Sequence, residues 1–460
     1  GFCGTLAAVQ LLRKPSDQNL RVVLIERHQP IGRGVAYGTA QDCHLLNVPA
    51  GRMSPLADDD AHFLNYLQRT HPEIDGGYFA PRRRYGEYLH WLLDNAERDS
   101  AGRHELLRVH DQAVDIENTP SNAARITLEG GNMVAANYVI LASGVAGMRN
   151  PEIAAGGEFF SDLRYIADPW LSCALDRIDA RYPVLLVGTG LTAVDIVISL
   201  RQRGFLQPIH ALSRHGLLPI AHRASHHPLH IALPAALDDT AIGTRATLHI
   251  LRRYVAEVNK SGTDWRDVMV ALRPLTAQLW HKLHRGERAR FLRHCQAYWE
   301  VFRHRLPPSV ATELSAMLRL GALQIHAGRI AEIRATADTV DIHFLPRKSR
   351  GQNAVLRVGT VINCTGMSSN IRRSSAPLLQ ALQARGLIQS DAHGLGLLLD
   401  DNYAPIAANG TASNVLFYVG PLLKAQFWEA TAVPELREHV QRLVDLLLIR
   451  IRADGMATPV

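Results

Sequence analysis

Cysteine is scarce in this 460-residue chain: there are five, at Cys3, Cys43, Cys173, Cys295 and Cys364. No two stand in a C-x-x-C arrangement, which argues against both a zinc knuckle and a dithiol redox pair, and so against a disulfide reductase. The odd, sparse count fits a reducing compartment, and a cytoplasmic location is expected. No apolar run approaches the roughly 20 residues of a membrane span. Lys and Arg number 50 against 43 Asp and Glu, a formal net charge of +7, but no basic block or basic-aromatic stripe concentrates the excess. It reads as a solvated surface that draws anions inward, and no nucleic-acid site is expected. Metal-ligand spacing is also missing. His222, Arg223, His226, His227, Pro228 and His230 form a histidine-rich polar loop, and no metal is expected.

What is present is ordinary globular material, 47% apolar and 20% charged, long enough for two or three domains. The most informative stretch runs from Tyr182 to Asp195. A short apolar run, Val184 to Val187, predicts a buried strand, and Gly188-Thr189-Gly190-Leu191-Thr192-Ala193 follows at once. A helix then extends to about Arg203. This is the strand, G-x-G-x-x-G/A turn and helix of a dinucleotide site: Gly188 for the turn, Gly190 for backbone approach to a pyrophosphate, Ala193 for close packing. The next strand, Pro208 to Leu212, ends in Ser213-Arg214-His215. An NAD site places an acid there for the ribose 2′-hydroxyl. Here Ser213 can hydrogen-bond and Arg214 can pair with a 2′-phosphate, which predicts NADPH.

The chain opens inside a similar motif. Gly1-Phe2-Cys3-Gly4 leads into a helix from Thr5 to about Lys14, then a strand, Arg21 to Ile25, ending in Glu26. If Gly1 and Gly4 are the second and third glycines of a turn, Glu26 falls where a ribose-binding acid belongs. On this reading the first glycine and its strand are missing, and the chain is expected to hold its first cofactor poorly. A glycine-rich loop, Gly32 to Thr39, and His44 to Pro49 follow, then helices over 58–70 and 85–99. A strand meander is expected over 107–117, 125–128 and 133–141, closing on Ala142-Ser143-Gly144, where only small residues let the backbone touch a cofactor. Residues 145–180 read as a linker.

After the second nucleotide turn, 241–320 is predicted as a helical insert. Within it, Arg303-His304-Arg305 is either a solvated basic turn or a basic pocket for an acidic substrate or cofactor phosphates. Strands return at 322–327, 340–345 and 354–362, ending in Asn363-Cys364-Thr365-Gly366, a second strand-to-glycine closure. Two turns and two closures imply two dinucleotides. The last part carries Asn414 to Pro421, Trp428 to Glu435 and a helix to about Arg452. Its N-terminus, with Pro434 well placed, can stabilise negative charge.

Taken together, these motifs resemble the bacterial FAD-NAD(P)-binding proteins, a family similar to FAD-dependent urate hydroxylases and aspartate N-monooxygenases. The resemblance implies an α/β fold of two Rossmann-like dinucleotide-binding domains, three-layer ββα and glutathione-reductase-like, with a helical insert. The FAD domain takes 1–150 and 355–460; the NADPH domain takes 151–354. The resemblance implies FAD on Gly1, Gly4, Glu26, Gly34, Tyr37, Asn47 and Gly144, with Gly420, Glu429, Thr431 and Ala432 near its ring system. It implies NADPH on Gly188, Gly190, Thr192 and Arg214, beside Ser213 and the closing Gly366. The implied function is an NADPH- and O₂-dependent monooxygenase acting through a flavin hydroperoxide on a small polar substrate. Two alternatives stay open: an NADPH dehydrogenase without hydroxylation, and a non-catalytic flavin-binding protein. No acid–base pair is readable; His222, Arg223 and Trp428 are candidates for lining the site.

The absence of an acid after the second nucleotide strand predicts a lower KM for NADPH than for NADH; steady-state kinetics with both cofactors check this, and a clear NADH preference contradicts it.

Overall fold

A computed structural model describes residues 1–456 apart from 29, 120–122, 146, 224–230, 240–242, 348 and 350. The expected His226, His227, Pro228 and His230 lie outside the described residues.

The first helix, α1 (Phe2–Arg13), is buried on nearly every side from Cys3 to Leu12, as befits a helix sandwiched between layers. The strand β1 (Arg21–Ile25) follows, then the short α2 (Gly34–Tyr37), α3 (His62–Gln68) and α4 (Arg82–Asp99). Tyr85, Tyr88, Leu89, Leu92 and Ala96 form the buried stripe of α4, at helical spacing, and α4 packs on α1. β2 (Glu105–Val109) pairs in parallel with β1, while β3 (Ala113–Asn118), β4 (Ala124–Leu128) and β5 (Met133–Ala136) make an antiparallel meander. β6 (Val139–Leu141) ends the first unit.

The expected strand over 107–117 is therefore two strands in different sheets. Asp111 breaks it, its carboxylate accepting from the backbone of Gln112 at 2.7 Å. The run over 133–141 likewise breaks at Asn137-Tyr138, so β5 stays in the meander and β6 leaves it.

Residues 145–180 are more than a linker, because β7 (Tyr165–Ile166) joins the next sheet at its edge. β8 (Val184–Val187), α5 (Leu191–Gln202) and β9 (Ile209–Ser213) form the predicted nucleotide unit to within a residue or two. Between β9 and the next strand the described residues form six α-helices: α6 (Thr244–Lys260), α7 (Trp265–Leu272), α8 (Thr276–Lys282), α9 (Arg285–His294), α10 (Gln296–Arg303) and α11 (Pro308–Arg319). Then come β10 (Leu323–Ala335), β11 (Val340–Pro346), β12 (Ala354–Val358) and β13 (Thr360–Asn363).

The resulting sheet has the order β12-β11-β10-β9-β8-β13-β7. The β10-β9-β8-β13-β7 portion is parallel, and the second half of β10 turns antiparallel to β11. β8 alternates between two cores: Val184 and Leu186 face the α5 and α11 side, Leu185 and Val187 the opposite side. The single strand expected over 354–362 breaks at Gly359, where a Cβ would come within 2.7 Å of Tyr182 Cβ. Since β12 and β13 belong to this sheet, the return to the first unit, expected from residue 355, falls beyond Asn363.

That return consists of α12 (Pro377–Ala384), β14 (Leu416–Tyr418) and the long α13 (Val433–Met456). β14 pairs in parallel with β6 and α13 packs on α1. Among the described residues no strand joins the β1-β2 pair to the β6-β14 pair; α1 spans them, with Gly4 close to both Ala142 and Leu24. No helix among the described residues is long and apolar enough to cross a membrane.

The two units meet at His44. Its ring nitrogens lie 2.7 Å from Thr39 Oγ1 and 2.7 Å from Ser199 Oγ on α5, and next to it Arg82 pairs with Asp195 at 2.9 Å. Burial, with the Arg82 charge second, pushes the His44 pKa down to about 4. The folded chain thus holds this imidazole neutral while the unfolded chain protonates it near 6.5. His44 by itself is expected to remove about 2–3 kcal/mol of stability as pH drops from 6.5 to 4. Denaturant unfolding across that range checks this: His44→Gln should flatten the pH slope, and an unchanged slope contradicts the assignment.

Candidate functional site

The first candidate site gathers around the start of α1. Glu26, at the end of β1, lies against Gly1 and accepts from His28 N at 3.2 Å. The glycine loop closes over the same turn. Thr5 Oγ1 donates to the carbonyls of Gly1 (3.0 Å) and Gly32 (3.2 Å). Gly34 has φ of +58°, and a Cβ there would lie 2.8 Å from Gly1 Cα. Backbone therefore lies directly on backbone, as a loop that presents N–H groups to phosphates requires. Tyr37 packs its ring against Tyr85 and Phe2. Asn47 is reached from the other unit, its carbonyl accepting from His222 Nε2 at 3.0 Å.

The closing residues of this unit converge on Tyr418. Its hydroxyl donates to the Gly144 carbonyl at 2.9 Å and accepts from Leu422 N at 2.9 Å. Gly420 must lack a side chain, because a Cβ would sit 2.7 Å from that hydroxyl. Tyr418 escaped notice in the sequence, where it is one aromatic within an apolar strand. Beyond it, the Glu429 carboxylate is buried. It accepts from Trp299 Nε1 at 2.6 Å and pairs with Arg303 at 2.8 Å. Thr431 N donates to the Glu429 carbonyl, and Ala432 accepts the first hydrogen bond of α13 from Leu436.

The second candidate site lies at the carboxyl ends of β8 and β13, where the strand order changes direction. Gly188 has φ of +120° and touches β13; a Cβ would lie 2.3 Å from the Cys364 carbonyl. Gly190 differs: it is the extended N-cap of α5, and nothing lies within 4 Å of where its Cβ would be. That is open space over a helix N-terminus, on the side from which a pyrophosphate would approach. Thr192 stands in the first turn of α5, and Gly366, like Gly144, adopts a left-handed conformation with open space around it. Ser213 serves the turn: its hydroxyl accepts from Thr189 Oγ1 (2.9 Å) and Gly216 N (3.0 Å). Arg214 is exposed and makes no ion pair among the described residues. Beside it, Arg347 bonds the His215 ring, and Arg329 and Arg347 add positive charge there from the β10–β11 hairpin. Those two arginines lie more than 110 residues away in sequence and were not anticipated.

The three residues expected to line a site make separate contacts. His222 packs on Phe79 beside Asn47. Arg223 pairs with the fully buried Asp267. Trp428 lies tilted against Trp280 (4.7 Å) and edge-on to Phe291 (5.0 Å), with Lys424 over its ring, and lines a cavity of about 680 Å³ beside the insert helices.

Residues 1–146 match the family described as FAD-NAD(P)-binding. No curated protein sequence matches the chain. Among solved structures, the ornithine N-hydroxylase of Kutzneria sp. 744, solved with reduced FAD, NADP⁺ and L-ornithine, aligns at 17% identity and a TM-score of 0.62, over 97% of this chain and 96% of that one. The L-lysine 6-monooxygenase of Pseudomonas syringae aligns at 16% identity and 0.63, over 98% and 97%. The FAD-bound cadaverine monooxygenase of Erwinia amylovora aligns at 12% identity and 0.65, over 97% and 92%. The fold is thus that of two-domain FAD- and NADPH-binding flavoproteins.

The two glycines of the second turn are expected to behave oppositely. Gly188→Ala should destabilise by about 1–3 kcal/mol through its collision with β13. Gly190→Ala should leave Tm within about a degree while raising the KM for NADPH, because its methyl enters only the open space. Melting curves and NADPH kinetics on both variants check this.

Proposed function

We propose that the chain is an FAD-dependent, NADPH-using monooxygenase that hydroxylates a small molecule. The observation that carries this is the pairing of two glycine turns with two open, small-residue closures in one chain. Gly1, Gly34 and Gly144 lie on one side, Gly188, Gly190 and Gly366 on the other. The full-length likeness to N-hydroxylating flavoproteins supports it. So do the cysteines: all five are free, and none of the nucleotide turns carries the neighbouring thiols of a disulfide reductase.

On this proposal Glu26 accepts from the FAD ribose and the loop at Gly34 lies along the pyrophosphate. The Tyr418 bridge fixes Gly144 and Gly420 beside the ring system. The start of α13, from Thr431 and Ala432, stabilises negative charge there. Arg214, aided by Arg347, takes the NADPH 2′-phosphate. When bound, FAD accepts hydride from NADPH and activates O₂; the protein holds donor and acceptor in register and excludes water. The free cysteines support a reducing setting, and we place the protein in a bacterial cytoplasm. An NADPH dehydrogenase without hydroxylation is the second reading, since the same two nucleotide turns would serve it.

Anaerobic NADPH is expected to bleach the flavin band near about 450 nm. Admitting O₂ should then restore it through a spectrally distinct transient, with NADPH consumption coupled to hydroxylated product. Direct reoxidation with stoichiometric free H₂O₂ selects the dehydrogenase, and a flavin that stays oxidised removes the enzymatic proposal.

A further inference from the structure

Among the described residues Arg305 is a buried cation without a counter-ion. It is 7% exposed, at the turn between α10 and α11. Among the described residues its guanidinium donates no hydrogen bond and meets no carboxylate, and its Nε is buried and unsatisfied. Its guanidinium carbon lies 5.9 Å from the centre of the Trp265 ring. A buried, unpaired charge is costly and persists where a ligand supplies its partner.

The surroundings deepen the anomaly. The charges that bear on Arg305 most strongly are four more arginines: Arg303, Arg266, Arg223 and Arg52. Three are already engaged, Arg303 with Glu429, Arg266 with Asp264 and Arg223 with Asp267. Arg52, half-buried on the first unit, has no carboxylate partner among the described residues. Burial and these like charges push the Arg305 pKa down to about 10, and burial with Arg273 lowers that of Arg52.

The position is equally specific. Leu306 N donates to the Ile220 carbonyl (2.9 Å) and His222 N to the Leu306 carbonyl (2.8 Å). Arg305 is thereby held one residue from His222, whose ring reaches Asn47 of the first unit. The two unpaired guanidiniums thus come from the insert and from the first unit. Trp265, which stacks under Arg266 at 4.6 Å, also forms a wall of the 680 Å³ cavity, with Phe302, Val268, Trp280 and Trp428.

We infer that Arg305 anchors a buried anion site for the carboxylate of the substrate, with Arg52 adding positive charge from the first unit, and that the substrate is an organic acid with an apolar body lodged against Trp265. The inference rests on the monooxygenase proposal for the identity of the ligand as substrate. It narrows the expected small polar substrate to one that carries an acid. A planar, forked guanidinium suits a carboxylate through paired N–H donors.

The test uses the full flavin-loaded chain, with benzoate as a carboxylate on an apolar ring and benzamide as its uncharged counterpart. Calorimetric titration and thermal shift are expected to show benzoate binding and raising Tm, with benzamide inert. Arg305→Gln should weaken benzoate by about tenfold or more, as loss of a charged hydrogen-bond partner does, and Arg52→Gln should weaken it by less. Flavin content and NADPH affinity should stay as in the parent. Equal affinity for benzoate and benzamide, or benzoate binding untouched by both variants, overturns the site. If inorganic phosphate competes with NADPH and Arg305→Gln weakens NADPH binding, the arginines hold a cofactor phosphate and the substrate assignment is overturned. Should Arg305→Gln fail to fold, Arg52→Gln and Arg305→Lys carry the same comparison. Carboxylate binding needs no turnover, so a flavin that NADPH leaves oxidised would remove the monooxygenase proposal while leaving the anion site standing.

Discussion

A buried ion-pair network fixes the relation between the insert and the rest of the chain. Arg303, on α10, lies 2.8 Å from Glu429 and 3.5 Å from Glu435, which also pairs with Arg273 ahead of α8. Trp299 completes it by donating to Glu429. Arg303 and Glu429 are almost fully enclosed, so each charge depends on the other; removing one leaves an uncompensated ion where water cannot reach, a loss of about 3–5 kcal/mol. Because Glu429 and Glu435 flank the start of α13, the network sets the helical lobe against the turn proposed to face the flavin ring. Lys424 reinforces the seam, bonding Glu300 at 3.1 Å while lying over Trp428. The seam is a grid of charge and indole rather than an oily contact.

The same economy of backbone appears in both nucleotide units. At Gly34 and Gly1, main chain touches main chain; at Gly188, a strand turn abuts the neighbouring strand. Each contact consumes the space a side chain would take, and each leaves a further glycine nearby with open surroundings. Positive charge is then supplied from a distance: Arg329 and Arg347 beside Arg214, Arg52 beside Arg305.

Much of the architecture was legible because its signals are local. The second nucleotide unit came out nearly to the residue, since an apolar run, a glycine turn and a periodic helix are contiguous. The insert was legible from its 3.6-residue periodicity. What failed was partnership. β2 and β3 carry one continuous alternation, and only Asp111 turning on the backbone separates them into different sheets. β13 follows β12 after a single residue, yet the two sit five positions apart in the sheet order, which no local pattern encodes. For the candidate site, spacing alone singled out Gly1, Glu26 and Arg214 as the residues to propose. Arg305 was one of two open readings of a basic turn, and Arg52, a single arginine in a loop, gave no signal, because its meaning comes from a charge more than 250 residues away.

The insert departs from the sheet between β9 and β10, which are direct parallel neighbours. Parallel neighbours need a long crossover in any case, and α11 serves as one: Val310, Leu314 and Met317 are packed into the core beneath the sheet. Helices α6 to α10 are therefore an excursion hung on a connection that the sheet requires without them. A lineage can lengthen, reshape or exchange that lobe while leaving the strand order and both nucleotide turns intact. Through such grafts, one cofactor engine can be refitted to new chemistry, with the arginine and glutamate seam as the joint each graft must remake.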